Sequence, residues 1–461
     1  MMRDETDSLG TVQVPDGALY GANTLRGQQN FAGLGAPLRD YPGFIAALAK
    51  VKLAAAQANL AVGALTPDVA GAIVQACAEI AAGQHHAAFI VPLVEGSGGT
   101  STNMNANEVI ANRAGQILGD ALGSYARVNP NDHVTRSQST HDVVLTAIKL
   151  ACVTASAPLL AAAGALALAL RDKADAHRDI LRVGRTCMQA AQPMTYGQLF
   201  DGWASGVERA MAELQSATTA LCCVPMGGTA IGTGLGAAPG YRAAIAGCLS
   251  DVFGFAITRP ADDFDAMQAA DGFLRLSAEL RNVSSVLAKY AADLVILGSD
   301  GAAGLGEVIL PAVQPGSSIM AGKVNPVIPM ALQQIAMRVH GADATVALAA
   351  QAGQMEINHF EPVMAEALFQ QIGLVTEGCR IFADRCIASL RVDADRSWKN
   401  LSQSFAVSTV FLEKLGYKRV VALVKQAQAE GVPLAEIAVR QGLMNAAGVT
   451  AVLEDAAQSV V

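Results

Sequence analysis

Four clusters of small polar residues interrupt a chain that is otherwise apolar. They are 99–108 (GTSTNMNANE), 131–142 (NDHVTRSQSTHD), 184–189 (GRTCMQ) and 316–326 (GSSIMAGKVNP). Each is expected where a loop passes into a helix. There, serine and threonine hydroxyls and the free amides of the first turn meet the positive end of the helix dipole, and such a junction binds anions such as carboxylates. Helix capping explains any one cluster alone. Other candidate groups are weaker. The eight cysteines form no CxxC pair and read as reduced thiols. His85 and His86 are adjacent, so on a helix their side chains diverge by about 100°, and they read as surface residues rather than metal ligands.

The elements that must carry these clusters are helical. The chain has 461 residues, 52% hydrophobic and 16% charged, which excludes a disordered protein. With 32 basic against 40 acidic residues and 5% aromatics, nucleic acid and an anionic membrane are disfavoured as partners. Thr66-Pro67-Asp68 reads as a helix start, with a capping hydroxyl, proline at the first position and an acid at the dipole's positive end. Phe273, Leu276, Leu280, Val283, Leu287, Ala291 and Leu294 make one helical stripe, roughly 35 Å long, that Gly298 stops. Few segments alternate with period two, so no large sheet is expected beyond a hairpin near Thr11 to Val14. The stretch 152–170 is apolar all round, which suits the centre of a large helical bundle better than a lone membrane span. The polar, acidic start Met1-Met2-Arg3-Asp4-Glu5 lacks the pattern of a signal peptide, and a cytoplasmic location is expected. Composition breaks at 96–107, 129–141 and 391–402 suggest a helical domain over 1–140, a long-helix domain over 141–396 and a small helical domain over 397–461.

Taken together, the clusters resemble the aspartase/fumarase superfamily. The fourth resembles its GSSxMPxKxNP loop, with Ala321 in place of the proline. The first is similar to GTSTNMNxNEV, the second to HPNDxVNxSQSxND, and the third to its GRT segment with the following Gln192-Pro193-Met194-Thr195. Residues 227–234 (GGTAIGTG), Gly353-Gln354 and Glu361-Pro362 fit as well, so the resemblance spans nearly the whole chain. Aspartate ammonia-lyases and class II fumarases are nearest in overall pattern. The resemblance implies an all-α, three-domain fold whose long helices form a homotetramer core, with each active site shared between three subunits. It implies a small dicarboxylate or amino-acid substrate, reversible elimination to fumarate or a related unsaturated acid, and no metal or organic cofactor.

Residue by residue, the resemblance assigns Ser317 as the base that removes the Cβ proton. Thr100, Ser139, Thr140 and Ser318 would hold one carboxylate; Lys323, Asn325 and Thr186 would hold the other. A serine alkoxide needs strong stabilisation, which Lys323, backbone amides and water exclusion would supply. Two departures from the family bear on the leaving group. Cys187 and Met330 stand where fumarases and many aspartases carry a histidine and its paired glutamate. A departing hydroxyl needs a proton and an alkylammonium does not, so the missing pair favours amine elimination. His141 stands where the family has asparagine beside the leaving group, as a replacement proton donor, an anion-binding group or an enlarged recognition element. Cys187 reads as a pocket-wall residue, and His359 as a polar residue where the family is usually apolar. Asn129 replaces a histidine associated with an outer anion site. The expected function is loss of ammonia or an amine from aspartate or an aspartate-like amino acid. The alternatives are a lyase for an N-substituted aspartate or betaine, a fumarate hydratase, and a catalytically silent paralogue.

Overall fold

The protein was analysed as a computed structural model that describes residues 1–458. Among these residues the strands make three two-stranded antiparallel sheets, and the rest of the regular structure is helical. β1 (Met2–Asp7) and β2 (Gly10–Pro15) form the N-terminal hairpin expected from the sequence. α1 (Ala22–Phe31), α2 (Pro42–Ala61), α3 (Pro67–Ala81), α4 (Thr100–Leu118) and α5 (Thr140–Ala176) follow. A second hairpin, β3 (Leu181–Thr186) with β4 (Gln189–Thr195), leads to α6 (Tyr196–Ala220), α7 (Tyr241–Phe253), α8 (Asp263–Gln268) and α9 (Asp271–Leu297). β5 (Val308–Ile309) precedes α10 (Val327–Gln351) and α11 (Glu361–Phe382). β6 (Arg391–Val392) pairs with β5 and opens the terminal set: α12 (Ala394–Ser402), α13 (Val407–Leu415), α14 (Tyr417–Glu430), α15 (Leu434–Arg440) and α16 (Ala446–Gln458).

Packing divides the chain into two compact units, each assembled from three stretches of sequence. The first contains Met1–Pro158, Glu213–Arg281 and Arg338–Leu374. Its centre is α2, which packs on α3 and α7. Ala54, Ala55 and Ala58 are fully buried on α2, and side chains this small let neighbouring helices approach closely. At the start of α3, Pro67 takes the first helical position as expected, but the Thr66 hydroxyl donates to the Asp68 carboxylate (2.5 Å) instead of capping a backbone amide. The carboxylate two residues on is the stronger acceptor.

The second unit contains Leu159–Ala212, Asn282–Met337 and the chain from 375 onward. Its terminal helices close on Leu401, Val407, Phe411, Leu423, Ile437 and Leu453. The predicted stripe on α9 is buried at every position from Phe273 to Leu294. The apolar stretch 152–170 lies inside α5, which with α2 is long and apolar enough to cross a membrane by length and composition. In α5, 61% of the most apolar window is buried by the protein itself, while Leu168 is 63% exposed.

Candidate active site

The first cluster opens α4. Gly99 precedes the helix at φ +85°, and a Cβ there would press on Val144 at 3.0 Å, so glycine is required on both counts. The sequence leads one to expect free first-turn amides here, and the structure corrects that. Glu95 accepts from the amides of Ser101 (3.1 Å) and Thr102 (3.2 Å), leaving the Thr100 side chain as the cluster's contribution to the cavity described below. Most of the other polar groups are structural. Asn105 braces the 88–90 backbone, Asn107 donates to Thr135, and Glu108 accepts from the amides of Gly21, Asn23 and Thr24 at the start of α1. Burial pushes the Glu108 carboxyl up, against these hydrogen bonds.

The second cluster ends at the start of α5 and is held from within. Asp142, fully buried, accepts from the amides of Ser139 (2.9 Å), Gly227 (3.1 Å) and Thr229 (3.1 Å). It thereby ties the Ser139-Thr140 corner to the glycine-rich 227–234 turn. Lys52 of α2, 1% exposed, donates to Gln138 (3.0 Å). Burial pushes Asp142 up to about 7 and Lys52 down to about 7, each opposed by the other's charge. Asn103 of α4 donates to the Thr140 hydroxyl (3.3 Å), linking the starts of the two helices. Asn129 uses its side chain to cap the short turn Pro130–Val134.

Thr100, Ser139, Thr140 and His141 line one cavity of about 570 Å³. Ala230 and Ile231 also line it, as do Gln354, Glu356, Ile357 and His359. Gly98, at φ +61°, lets the loop before α4 approach His359, where a Cβ would lie 3.2 Å from the histidine's own. His359, without a firm role in the sequence, is thus a cavity residue.

His141 differs from its expected roles. Its Nε2 lies 2.6 Å from the Met267 carbonyl, so Nε2 carries the proton and donates. Nδ1 is buried without a hydrogen-bond partner, 3.6 Å from a carboxylate oxygen of Glu361. Burial lowers the His141 pKa and raises that of Glu361. A neutral ring with both nitrogens turned into the protein suits neither proton donation into the cavity nor anion binding. Glu361, buried, and Lys149, half-buried with its side chain donating to the Cys223 carbonyl, are ionisable groups that sequence reading left unassigned. Glu361 lies 220 positions from its partner, and its Glu-Pro motif was the available signal.

The third cluster is a hairpin turn, a correction to the loop-to-helix placement. Cys187 and Met188 form the two-residue connection between β3 and β4, both with positive φ (49° and 63°). Asn-Gly is preferred there, and side chains pay for that geometry in backbone strain. Thr186, Cys187 and Met188 are exposed. Cys187 does line a cavity, one of about 310 Å³ with Arg182, Arg185 and Lys289 around it. Arg185 is committed to a two-pronged pair with the buried Glu307, which anchors the hairpin close to its turn.

The fourth cluster is a compact, exposed loop. The Ser317 oxygen accepts from the amides of Ile319 (3.2 Å) and Met320 (3.0 Å), a cradle that favours negative charge on that oxygen. Gly316 donates to the Lys323 carbonyl (2.8 Å) and receives the Asn325 side-chain amide on its own carbonyl (2.8 Å). A Cβ on Gly316 would stand 2.8 Å from both the Lys323 carbonyl oxygen and the Asn325 amide nitrogen of the returning chain, so only glycine fits. Ser318 and Lys323 are exposed, and Met330, in the first turn of α10, is 45% exposed. The cavity lined by Thr100 and Thr140 includes none of Thr186, Cys187, Ser317, Ser318, Lys323 or Asn325.

The scaffold presents hydroxyls to one cavity and, in an exposed loop, a serine in an amide cradle. A family model described as a lyase matches residues 10–341. The chain is 39% identical over 450 residues to class II fumarate hydratase 1 of Pseudomonas aeruginosa, covering 97% of this chain and 96% of that protein. It is 38% identical over 452 residues to an aspartate ammonia-lyase of the same organism, covering 98% and 95%. A solved structure of a fumarate lyase:delta crystallin from Brucella melitensis, bound to cobalt, matches with a TM-score of 0.95 and 38% identity, covering 98% of each chain. The chain belongs to the aspartase/fumarase superfamily.

Proposed function

We propose that the protein is a carbon–nitrogen lyase that eliminates ammonia or an amine from L-aspartate or an aspartate-like amino acid, giving fumarate or a related unsaturated acid. The observation that carries this reading is the Ser317 oxygen in its cradle of two amides, which lowers the cost of an alkoxide. Ser317 takes the Cβ proton. The electron pair moves into the adjacent carboxylate as an aci-carboxylate, then returns to form the double bond as the C–N pair leaves with the amine. Thr100, Ser139, Thr140 and Ser318 hold one carboxylate; Lys323, Asn325 and Thr186 hold the other. Uncharged side chains at Cys187 and Met330 support an amine rather than a hydroxyl as leaving group.

The same reading makes the protein a cytoplasmic homotetramer of three-domain subunits, divided at 1–140, 141–396 and 397–461, with three subunits completing each site. Large apolar side chains exposed on the long helices support this, among them Leu168 on α5 and Met337 and Leu348 on α10. The test is to incubate purified protein with fumarate and ammonia or a small amine, following the fumarate ultraviolet absorbance and identifying the product. Formation of the amino acid is expected; malate formed from fumarate and water would overturn the leaving-group assignment.

A further inference from the structure

The cavity beside the Cys187 turn contains a buried cation left short of acceptors. Arg182 of β3, 5% exposed, lines this space together with Arg185, Lys289 and Asp293. Two of the three cations are paired. Arg185 is committed to Glu307, and Lys289 bonds to Asp293 one turn along α9. Arg182 is left over. Its Nε is buried without a hydrogen-bond partner, and its Nη2 is 4.0 Å from the Glu307 carboxylate, outside hydrogen-bond reach. Glu307 already accepts from Arg185 and from the Asn400 amide. The Tyr196 ring, 5.1 Å from the guanidinium, offers a π face but no lone pair in that direction. Burial accordingly lowers the Arg182 pKa, as it does for any cation held away from water.

A guanidinium with unused donors beside an open space is a setting for an anion, which its fork of N–H groups can hold through two oxygens. The rest of the lining selects which anion. Met194, Leu199, Ile296 and Leu297 give apolar surface to the same space of about 310 Å³. With Arg185 and Lys289 already paired, one positive charge is on offer, and a second carboxylate on the ligand would lie against apolar walls without a partner. We propose that this cavity is a binding site for a small monocarboxylate with an apolar body, held by Arg182. The carboxylate accepts from the Arg182 N–H groups, and the body covers the methionine, leucine and isoleucine side chains. The site shares no lining residue with the cavity of Thr100 and Thr140, so its ligand is not the substrate bound there.

Titration calorimetry on the intact protein tests this with hexanoate, and with hexanol and hexylamine as neutral and cationic ligands of the same body. Hexanoate is expected to bind at one site per chain, at least tenfold more tightly than either, and to do so equally with fumarate in excess. Arg182→Met, which keeps an apolar stem and removes the donors, should weaken hexanoate at least tenfold. Because Arg182 is buried near Glu307 and that variant could fail to fold, Ile296→Glu is the second. Ile296 is 36% exposed on α9, so an acid there leaves folding intact and weakens hexanoate several-fold by repulsion. No binding of hexanoate, or equal binding of hexanol or hexylamine, overturns the proposal. Binding that excess fumarate abolishes, or that Ile296→Glu leaves unchanged, places the anion elsewhere and overturns it too.

Discussion

The Ser139–Thr140 corner and the Ser317 loop are both polar clusters ahead of a long helix, yet they are built in opposite ways. The corner is fixed from inside by a buried carboxylate with three amide donors and by a buried lysine on the preceding residue. The loop is exposed. Its recorded order comes from the Ser317 cradle, the Gly316–Lys323 contact, one turn and the Asn325 amide. Hydrogen bonds buried from water are expensive to break, whereas exposed ones exchange with solvent at small cost. Under the proposed function the corner serves as a preorganised binding surface and the loop as an element that opens and closes at each turnover. Binding and chemistry should separate between them.

The largest test is Ser317→Ala. We expect kcat to fall about 10²–10⁴-fold with KM nearly unchanged, measured by steady-state kinetics with folding and oligomeric state checked in parallel. A rise in KM instead would mean that the loop also binds. Asp142→Asn should do the reverse, raising KM roughly tenfold with a smaller change in kcat, because the three N–H groups are shared between both carboxyl oxygens and an amide side chain keeps only one oxygen. That variant also has a pH test. Burial raises the Asp142 pKa from 3.8 to about 7, so its contribution to stability is full below the unfolded value and is lost as pH rises through 7. The stability gap between wild type and variant should narrow from pH 4 to pH 7 in denaturant titrations.

A smaller effect tests the frame behind α4. Its Arg113 makes a two-pronged pair with Glu79 of α3, and that hydrogen bonding, with His85 assisting, lowers Glu79 to about 2. The stabilisation is full above about pH 4.5 and lost as pH falls through 2. Glu79→Gln should cost about 1 kcal/mol near neutrality, with the difference from wild type vanishing toward pH 2. The smallest effect is in the loop. Lys323 donates to the Met320 carbonyl across Ala321 and Gly322, and Gly322 has the φ of +82° that a type II turn requires. Proline is favoured at the Ala321 position of such a turn. Ala321→Pro should stabilise the closed loop by about 0.4–1 kcal/mol and raise kcat by at most about fivefold; a fall would mean that the loop needs its freedom.

The helical architecture was legible because it depends on periodicity and end signals that act locally. The α9 stripe, the start of α3 and the N-terminal hairpin each follow from a few consecutive residues. The four clusters were legible as polar interruptions and as family motifs. Their division of labour was not. Asn105, Asn107 and Glu108 look as chemical in sequence as Thr100 does, and only the fold shows them spent on neighbouring backbone. The turn at Cys187-Met188 was misplaced because neither residue is a turn former, and positive φ there is imposed by the paired strands. Sequence by itself determined the helices, the family and the candidate serine, since these reside in residue types at short spacing. Only the tertiary structure decided that His141 is neutral, capped by Met267 and backed by Glu361. Burial and partners more than a hundred residues away set a side chain's charge and free atoms, and neither is written in local sequence.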